Sequence, residues 1–358
     1  MNLIKSKVNM NAKRIVFCLL ITAISFQLKA QQSVQFTQSP WAYPYYNAGA
    51  IAETKNTLSF TFFYRSQFTG FKDEIPNPGG GEPRIVSSNP QNFAVFAEFF
   101  SKKVGGIGLN VITDRIGPYN NISVQLGYCY KIPIPTGHLS LGFQAHLLDR
   151  KLDGDRLSPL TWADPTLADK QNNTVSWMNL DFNFGIFYKG VNWYAGLSAL
   201  NLAQTLTLAG EGSQNHLKRE FTLCGGYEWF IPNTNWSLEP NLFIKTNFAT
   251  AQYDVMLLAK YNNSLIWTGL VYRVQDAVAV IIGAKPFANH SNNYLKGLEM
   301  GFSYDFPTSH LGFTKKPSGG TQTNSFGGFE VMLRYGFGIY KEPYISGYGN
   351  SRYLYRSL

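Results

Sequence analysis

Charge is in short supply in this chain. Asp, Glu, Lys and Arg together make up 15% of 358 residues, against roughly 25% in an ordinary soluble domain. The formal net charge is +9. Five of the 31 basic residues and none of the 22 acidic ones fall within the first 30 positions, so the rest of the chain carries only about +4. That mild excess gives no case for nucleic-acid binding. Cysteine is almost missing, with three residues, and histidine counts five. Long hydrophobic runs are missing as well. The longest, Ile15 to Phe26, is too short for a membrane-spanning helix, so any crossing of a bilayer has to be made by strands.

That short run has another reading. Lys5, Lys7, Lys13 and Arg14 precede it, and Gln27-Leu-Lys-Ala30 follows it. The arrangement is that of a secretory signal, 1–30, cleaved after Ala30. Cys18 lies inside the run after bulky Phe17, which argues against lipoprotein processing. Cys129 and Cys224 remain in the mature chain. Their compartment permits a disulfide, two small side chains on strands is the simpler reading, and two isolated cysteines do not make a metal site.

What the chain has in quantity is aromatic residues (15%), 33 glycines and a period of two. From Trp236 to Phe248, apolar or membrane-compatible residues alternate with Ser237, Glu239, Asn241, Lys245 and Asn247. The stretch is about twice the length of an ordinary strand. Such a strand suits a tilted crossing of a bilayer around a wet lumen. The pattern predicts 14 strands, near 57–68, 91–102, 105–115, 120–132, 137–151, 175–189, 191–201, 217–230, 235–248, 251–262, 264–273, 276–285, 294–305 and 328–340. Long connections follow strands 1, 5, 7 and 13, and short ones follow even strands. The expected fold is therefore an all-β transmembrane antiparallel barrel, residues 55–340, in the outer membrane, with short periplasmic turns, long extracellular loops and both termini in the periplasm. Residues 31–54 precede it as a periplasmic segment and 341–358 follow as a periplasmic tail. Either could line or plug the periplasmic mouth, or dock a partner.

Candidate chemistry is thin. A barrel hydrolase needs a serine–histidine pair held by a third group, and the spacing of His138, His146, His216, His290 and His310 shows none. The acidic loop Leu152 to Leu157, with Asp164 and Asp169 beyond it, offers oxygen ligands for calcium without the spacing of an EF-hand. Gly105-Gly-Ile-Gly108 superficially resembles a nucleotide loop but has no helix after it, so turn and strand-packing glycines explain it better. The sequence thus implies no cofactor, metal or catalytic residue. Glu239, Lys245, Asp254, Lys260, Arg273, Glu330 and Arg334 share the polar face of the C-terminal half. They read as a paired lumen network, or as a selectivity lining or docking surface. Phe71, Ile75, Trp162, Leu311 and Phe313, in long loops, are the candidates for touching a partner.

Several blocks in order resemble the PorP/SprF family of type IX secretion membrane proteins: Gln31 to Gln38, Arg65-Ser-Gln-Phe-Thr-Gly-Phe71, Gly106 to Asp114, Phe184 to Tyr188 with Trp193 to Ser198, Trp267 to Arg273, Gly301 to Asp305 and Gly327 to Leu333. Two blocks depart from the family pattern. Tyr43-Pro-Tyr-Tyr-Asn-Ala-Gly49 stands for an Asn-Pro-Ala-Tyr-Ala-Gly-like element, and Gly-Phe-Glu330 stands for Ser-His-Glu. The resemblance implies a non-enzymatic outer-membrane barrel that assists secretion or surface attachment of an adhesin, in the setting of gliding motility, by holding the adhesin's C-terminal signal domain. It implies outer-membrane lipids and periplasmic type IX components as further partners. The alternative is a channel for small or apolar solutes, and a membrane hydrolase is a remote third.

Overall fold

The computed structural model describes residues 33–53, 57–75, 84–87, 89–101, 104–154, 174–204, 206–209, 217–262, 264–288, 295–308 and 325–338. The signal 1–30, the tail 341–358, and the loop candidates Trp162, Leu311 and Phe313 lie outside these.

Fourteen long strands form the wall: β1 Thr57–Ser66, β2 Gln91–Ser101, β3 Gly105–Ile116, β4 Tyr119–Ile134, β5 Gly137–Asp153, β6 Thr174–Gly190, β7 Trp193–Leu200, β8 Glu220–Tyr227, β9 Trp236–Thr246, β10 Ala251–Tyr261, β11 Ile266–Arg273, β12 Ala277–Ala284, β13 Leu298–Pro307 and β14 Gly328–Gly338. Each pairs antiparallel with its sequence neighbours, and β1 pairs with β14 from Thr57↔Gly338 to Ser66↔Phe329. That last pairing closes the sheet and leaves no free edge, the condition for crossing a bilayer with strands. Two short strands extend it. Leu206–Ala209 pairs with the outer half of β6 where β7 has ended, and Trp229–Phe230 continues β8 along β9. Lys72–Ile75 and Arg84–Ser87 form a separate hairpin within the loop after β1. Among the described residues no helix is long and apolar enough to cross a membrane.

The wall follows the period-two pattern. In β9, Asn241 is 5% exposed and Leu242 is 40% exposed, and burial alternates along the strand. Outward residues such as Leu126, Leu257, Leu270 and Ile282 present an apolar belt. The long links 67–90, 154–173, 201–219 and 308–327 all follow odd strands. They define a long-loop end, opposite the short-turn end. The link 285–297, after β12, departs from this sorting.

The lumen differs from the wet interior expected. Phe63, Phe96, Ile112, Phe187, Phe243, Met256, Leu258, Trp267, Val271, Ile281 and Met332 point inward and are buried. What covers them is the segment before the barrel. Residues 33–52, expected as a periplasmic segment, run lengthwise through the lumen. Ser33 touches Glu220 and Lys245 at the long-loop end, and Ala52 meets Glu98 and Lys131 at the short-turn end. The folded amino-terminal end therefore lies at the mouth opposite to the periplasmic one first assigned to it.

The register of β9 can be tested. Leu242→Arg should cost about 2–4 kcal/mol of barrel stability, the range for a basic residue near mid-depth. Leu242→Phe should stay within about 0.5 kcal/mol, as an apolar change on a lipid-facing site. Denaturant titration of the refolded barrel measures both. Equal loss in the two variants would place position 242 inside the lumen.

The plugged lumen as candidate functional site

Residues 31–52 contain no Asp, Glu, Lys or Arg, and Phe36, Trp41, Tyr43, Tyr45 and Tyr46 are aromatic. Such a stretch gains by burying its rings and has no charge to desolvate. It folds as three short turns, Ser39–Ala42, Tyr43–Tyr46 and Ala48–Ala50. Pro40 and Pro44 sit at the starts of the first two, where a missing N–H costs nothing. The Asn47 side chain accepts from the Gly49 N–H at 2.8 Å and caps the third. The Phe36 ring lies 4.8 Å from that of Phe63 and edge-on to Tyr45 and Phe96. Trp41 stacks on Trp267 at 5.3 Å.

Turns this short leave backbone groups unpaired, and the wall supplies the partners. Asn110 and Gln144 both donate to the Pro44 carbonyl, at 3.1 and 2.8 Å, and Ser198 Oγ donates to the Tyr46 carbonyl at 2.6 Å. The Asn47 amide donates to the Ile186 and Leu197 carbonyls of β6 and β7. Inward glycines make room for this contact. A Cβ on Gly142 would stand 2.1 Å from the Ala48 carbonyl, and one on Gly185 would stand 2.0 Å from Asn47 Oδ1. Gly106, Gly108 and Gly127 leave space for Ile51 in the same way. Gly105, at φ +92°, is thus a turn glycine, and Gly106 and Gly108 are strand-packing glycines, as their lack of a following helix suggested.

The inward charges meet the first residues of this segment. Glu330 accepts the Thr37 and Gln38 N–H groups at 2.8 and 2.9 Å. Arg65 donates to the Gln35 carbonyl at 2.7 Å and pairs with Asp305 at 2.6 Å and Glu330 at 3.6 Å. Arg273 lies between Asp254 and Asp305 at 3.4 and 3.3 Å and donates to Thr37 Oγ1. Asp254 accepts from the Gln35 amide at 2.6 Å, and Lys245 donates to the Ser33 carbonyl at 3.1 Å. At the other end Lys131 and His138 hold Glu53 at 2.9 and 3.1 Å. Burial alone would raise the Glu53 carboxyl, but the Lys131 ammonium and the hydrogen bond from His138 outweigh it and keep it below its ordinary value. That grip is present above the ordinary value and weakens as pH falls through the depressed one.

Of the seven charges read as lumen-facing, Lys245, Asp254, Arg273 and Glu330 converge on residues 33–38. Glu239 and Lys260 pair with each other nearer the short-turn end. Arg334 faces Glu299 across the β13–β14 pair. Arg65, Asp305 and Glu98 were missed, although each sits at an inward strand position. Phe71 is half-buried near the start of its loop, and Ile75 pairs with Arg84 in the separate hairpin. Cys129 and Cys224 are free and buried. The acidic calcium candidates Asp155, Asp164 and Asp169 lie outside the described residues.

One serine–histidine pair exists after all. Ser123 Oγ and His146 Nε2 are 2.7 Å apart on neighbouring strands. Among the described residues no carboxylate hydrogen-bonds His146 Nδ1, the orienting group that a nucleophile's base ordinarily has.

Two variants test the docking. Gly142→Val should leave the barrel closed but displace residues 43–52, seen as new chymotrypsin cleavage there in micelles while the wild type resists. Arg65→Met should cost roughly 3–5 kcal/mol, because Glu330 is left buried without its cation. Wild-type stability in the second variant would mean that the ion cluster does not hold the segment.

The family model described as type IX secretion system membrane protein PorP/SprF matches residues 28–335. No curated protein matches the chain. Among solved structures, the Pseudomonas putida toluene transporter TodX is similar at 7% identity and TM-score 0.42, over 81% of this chain and 92% of that one. The Acinetobacter baumannii outer membrane protein Omp33 is similar at 8% identity and TM-score 0.38, over 78% and 98%. The KdgM porin gives 10% identity and TM-score 0.33, over 77% and 99%. The closed 14-strand barrel and the nearly full-length family match agree, and this outer-membrane chain belongs to the PorP/SprF family of type IX secretion system membrane proteins.

Proposed function

We propose that this barrel is a non-enzymatic attachment factor: it holds a polypeptide exported by the type IX route at its long-loop face, outside the cell. The carrying observation is the filled lumen. Residues 33–52 occupy the barrel's length and their polar groups pair with the wall. A lumen used for packing offers no water-filled path for a solute, which counts against the channel alternative. It does make the barrel a rigid pedestal for its loops, and loops on a rigid scaffold are where binding sites concentrate. Family membership supplies the secretion route. An adhesin held through its C-terminal domain is the partner that fits. Phe71, Ile75, Trp162, Leu311 and Phe313 remain the loop residues proposed to touch it.

Two measurements test this. Purified barrel in a planar bilayer should give no steady conductance, whereas a variant lacking residues 33–52 should conduct. Open channels in the wild type would favour solute transport. Deleting residues 76–84 should leave a folded, heat-modifiable barrel and release the attached surface protein into the medium. Retention of that protein with both this loop and 308–327 shortened would move the gripping surface elsewhere.

A further inference from the structure

The lumenal segment has a direction, and its contacts descend the barrel in sequence order. Ser33 donates its N–H and its hydroxyl to Glu220, the outermost residue of β8, at 3.1 and 2.5 Å. Its carbonyl accepts from Lys245 near the outer end of β9. Thr37 and Gln38 meet Glu330 near the outer end of β14. Pro44 meets Asn110 and Gln144 halfway along β3 and β5. Ile51 lies against Gly106 and Gly108 at the start of β3, and Ala52 meets Glu98 and Lys131 at the short-turn end. The segment is joined to β1 at that short-turn end, so its other end leaves by the long-loop mouth. Burial falls off there: Gln35 to Gln38 are buried, while Ser33 and Val34 are only partly so.

The charge pattern of the sequence breaks where the segment emerges. Residues 30–52 carry no Asp, Glu, Lys, Arg or His, with Lys29 just before them and Glu53 just after. A stretch without charges can be drawn through a packed lumen, whereas each fixed charge would have to give up its hydration on the way. The first 30 residues are of the opposite kind. They carry five cations, Lys5, Lys7, Lys13, Arg14 and Lys29, and the apolar run Ile15 to Phe26. No path leads them back to the short-turn side once residues 33–52 occupy the lumen. The end of the predicted signal, at Ala30, therefore coincides with the end of what the lumen can pass.

We propose that this protein displays its mature amino terminus outside the cell, delivered through its own lumen, and that hydrolysis of the Ala30–Gln31 bond precedes the seating of residues 33–52. The hydrolysis adds water across one peptide bond and leaves a carboxylate on Ala30 and an amine on Gln31. A signal peptidase of the inner membrane is the class of catalyst that acts at such a site. The order follows from reach. A signal held in the inner membrane keeps Ala30 on the periplasmic side, and only three residues lie between it and Ser33. Three residues span about 10 Å at full extension, and the apolar band of an outer-membrane barrel alone is about 25 Å tall. Ser33 seated on Glu220 and a signal still anchored behind it exclude each other. The inference goes beyond the attachment reading and does not rest on it. It rests on the long-loop end being the outer one.

The test places single thiols on the full chain. Cys18 leaves with the signal, and Cys129 and Cys224 are buried, so Gln32→Cys and Val191→Cys each supply one reactive thiol. Val191 lies in the short turn between β6 and β7 and is 61% exposed. A membrane-impermeant maleimide should label position 32 to the same extent on intact and on permeabilised cells, and position 191 only after permeabilisation. Labelling of position 32 only after permeabilisation would overturn the outward terminus. Labelling of position 191 on intact cells would reverse the barrel and overturn it as well. A short epitope inserted between Gln32 and Ser33, detected by antibody, gives the same readout should the thiol react poorly. The order of events is read from Ala30→Ile, which puts a bulky residue where the cleavage site needs a small one. Chains of this variant that keep residues 1–30 should be cut by chymotrypsin within residues 43–52 in isolated membranes, while processed wild-type chains resist. Uncleaved chains that resist equally would overturn the order. The attachment reading is separable: the 76–84 deletion, which tests it, should leave the labelling of position 32 unchanged.

Discussion

The structure depends on pairing the backbone of residues 33–38 with charges buried inside the barrel. Glu330 accepts two successive N–H groups, and Arg65 donates to a carbonyl of the same stretch. The acids Asp254, Asp305 and Glu330 and the cations Arg65 and Arg273 then neutralise one another around it. Charges this buried persist only when their partners are complete, since removing one member leaves another exposed to a low dielectric. The backbone is one of those partners. Wall and segment therefore depend on each other. The wall's inward groups find their partners on the segment, and the segment's turns are too short to stabilise themselves.

This arrangement links sequence to rigidity. An uncharged aromatic stretch gives the barrel a hydrophobic core of its own, so the lumen serves stability. The inward glycines follow from the same need: Gly142 and Gly185 accept the closest approach of Ala48 and Asn47.

Much of the wall was legible in the sequence because period two leaves an unambiguous trace. Alternation from Trp236 to Phe248 put Asn241 inside and Leu242 outside, as the exposures show. The parity of loop lengths separated the two ends, with the link 285–297 as the exception. Lys245, Asp254, Arg273 and Glu330 were found by parity as well. Arg65 was not, because aromatics occupy both faces of β1, with Phe63 inward and Phe62 and Tyr64 outward, and the alternation is blurred. The lumenal segment was not legible as such. It has neither helical nor strand period, and its partners lie as far as 293 positions away in the chain. Its one trace was compositional: 22 residues without a charge, rich in rings, ahead of a barrel.

The central claim is that residues 34–52 are a packed core element of the folded barrel. Hydrogen–deuterium exchange on the intact protein in micelles tests it directly. The account predicts that the Thr37, Gln38 and Ala52 amides, bonded to Glu330 and Glu98, exchange as slowly as the central amides of β4 and β5. Exchange of these three within seconds, while the strands stay protected, would contradict it.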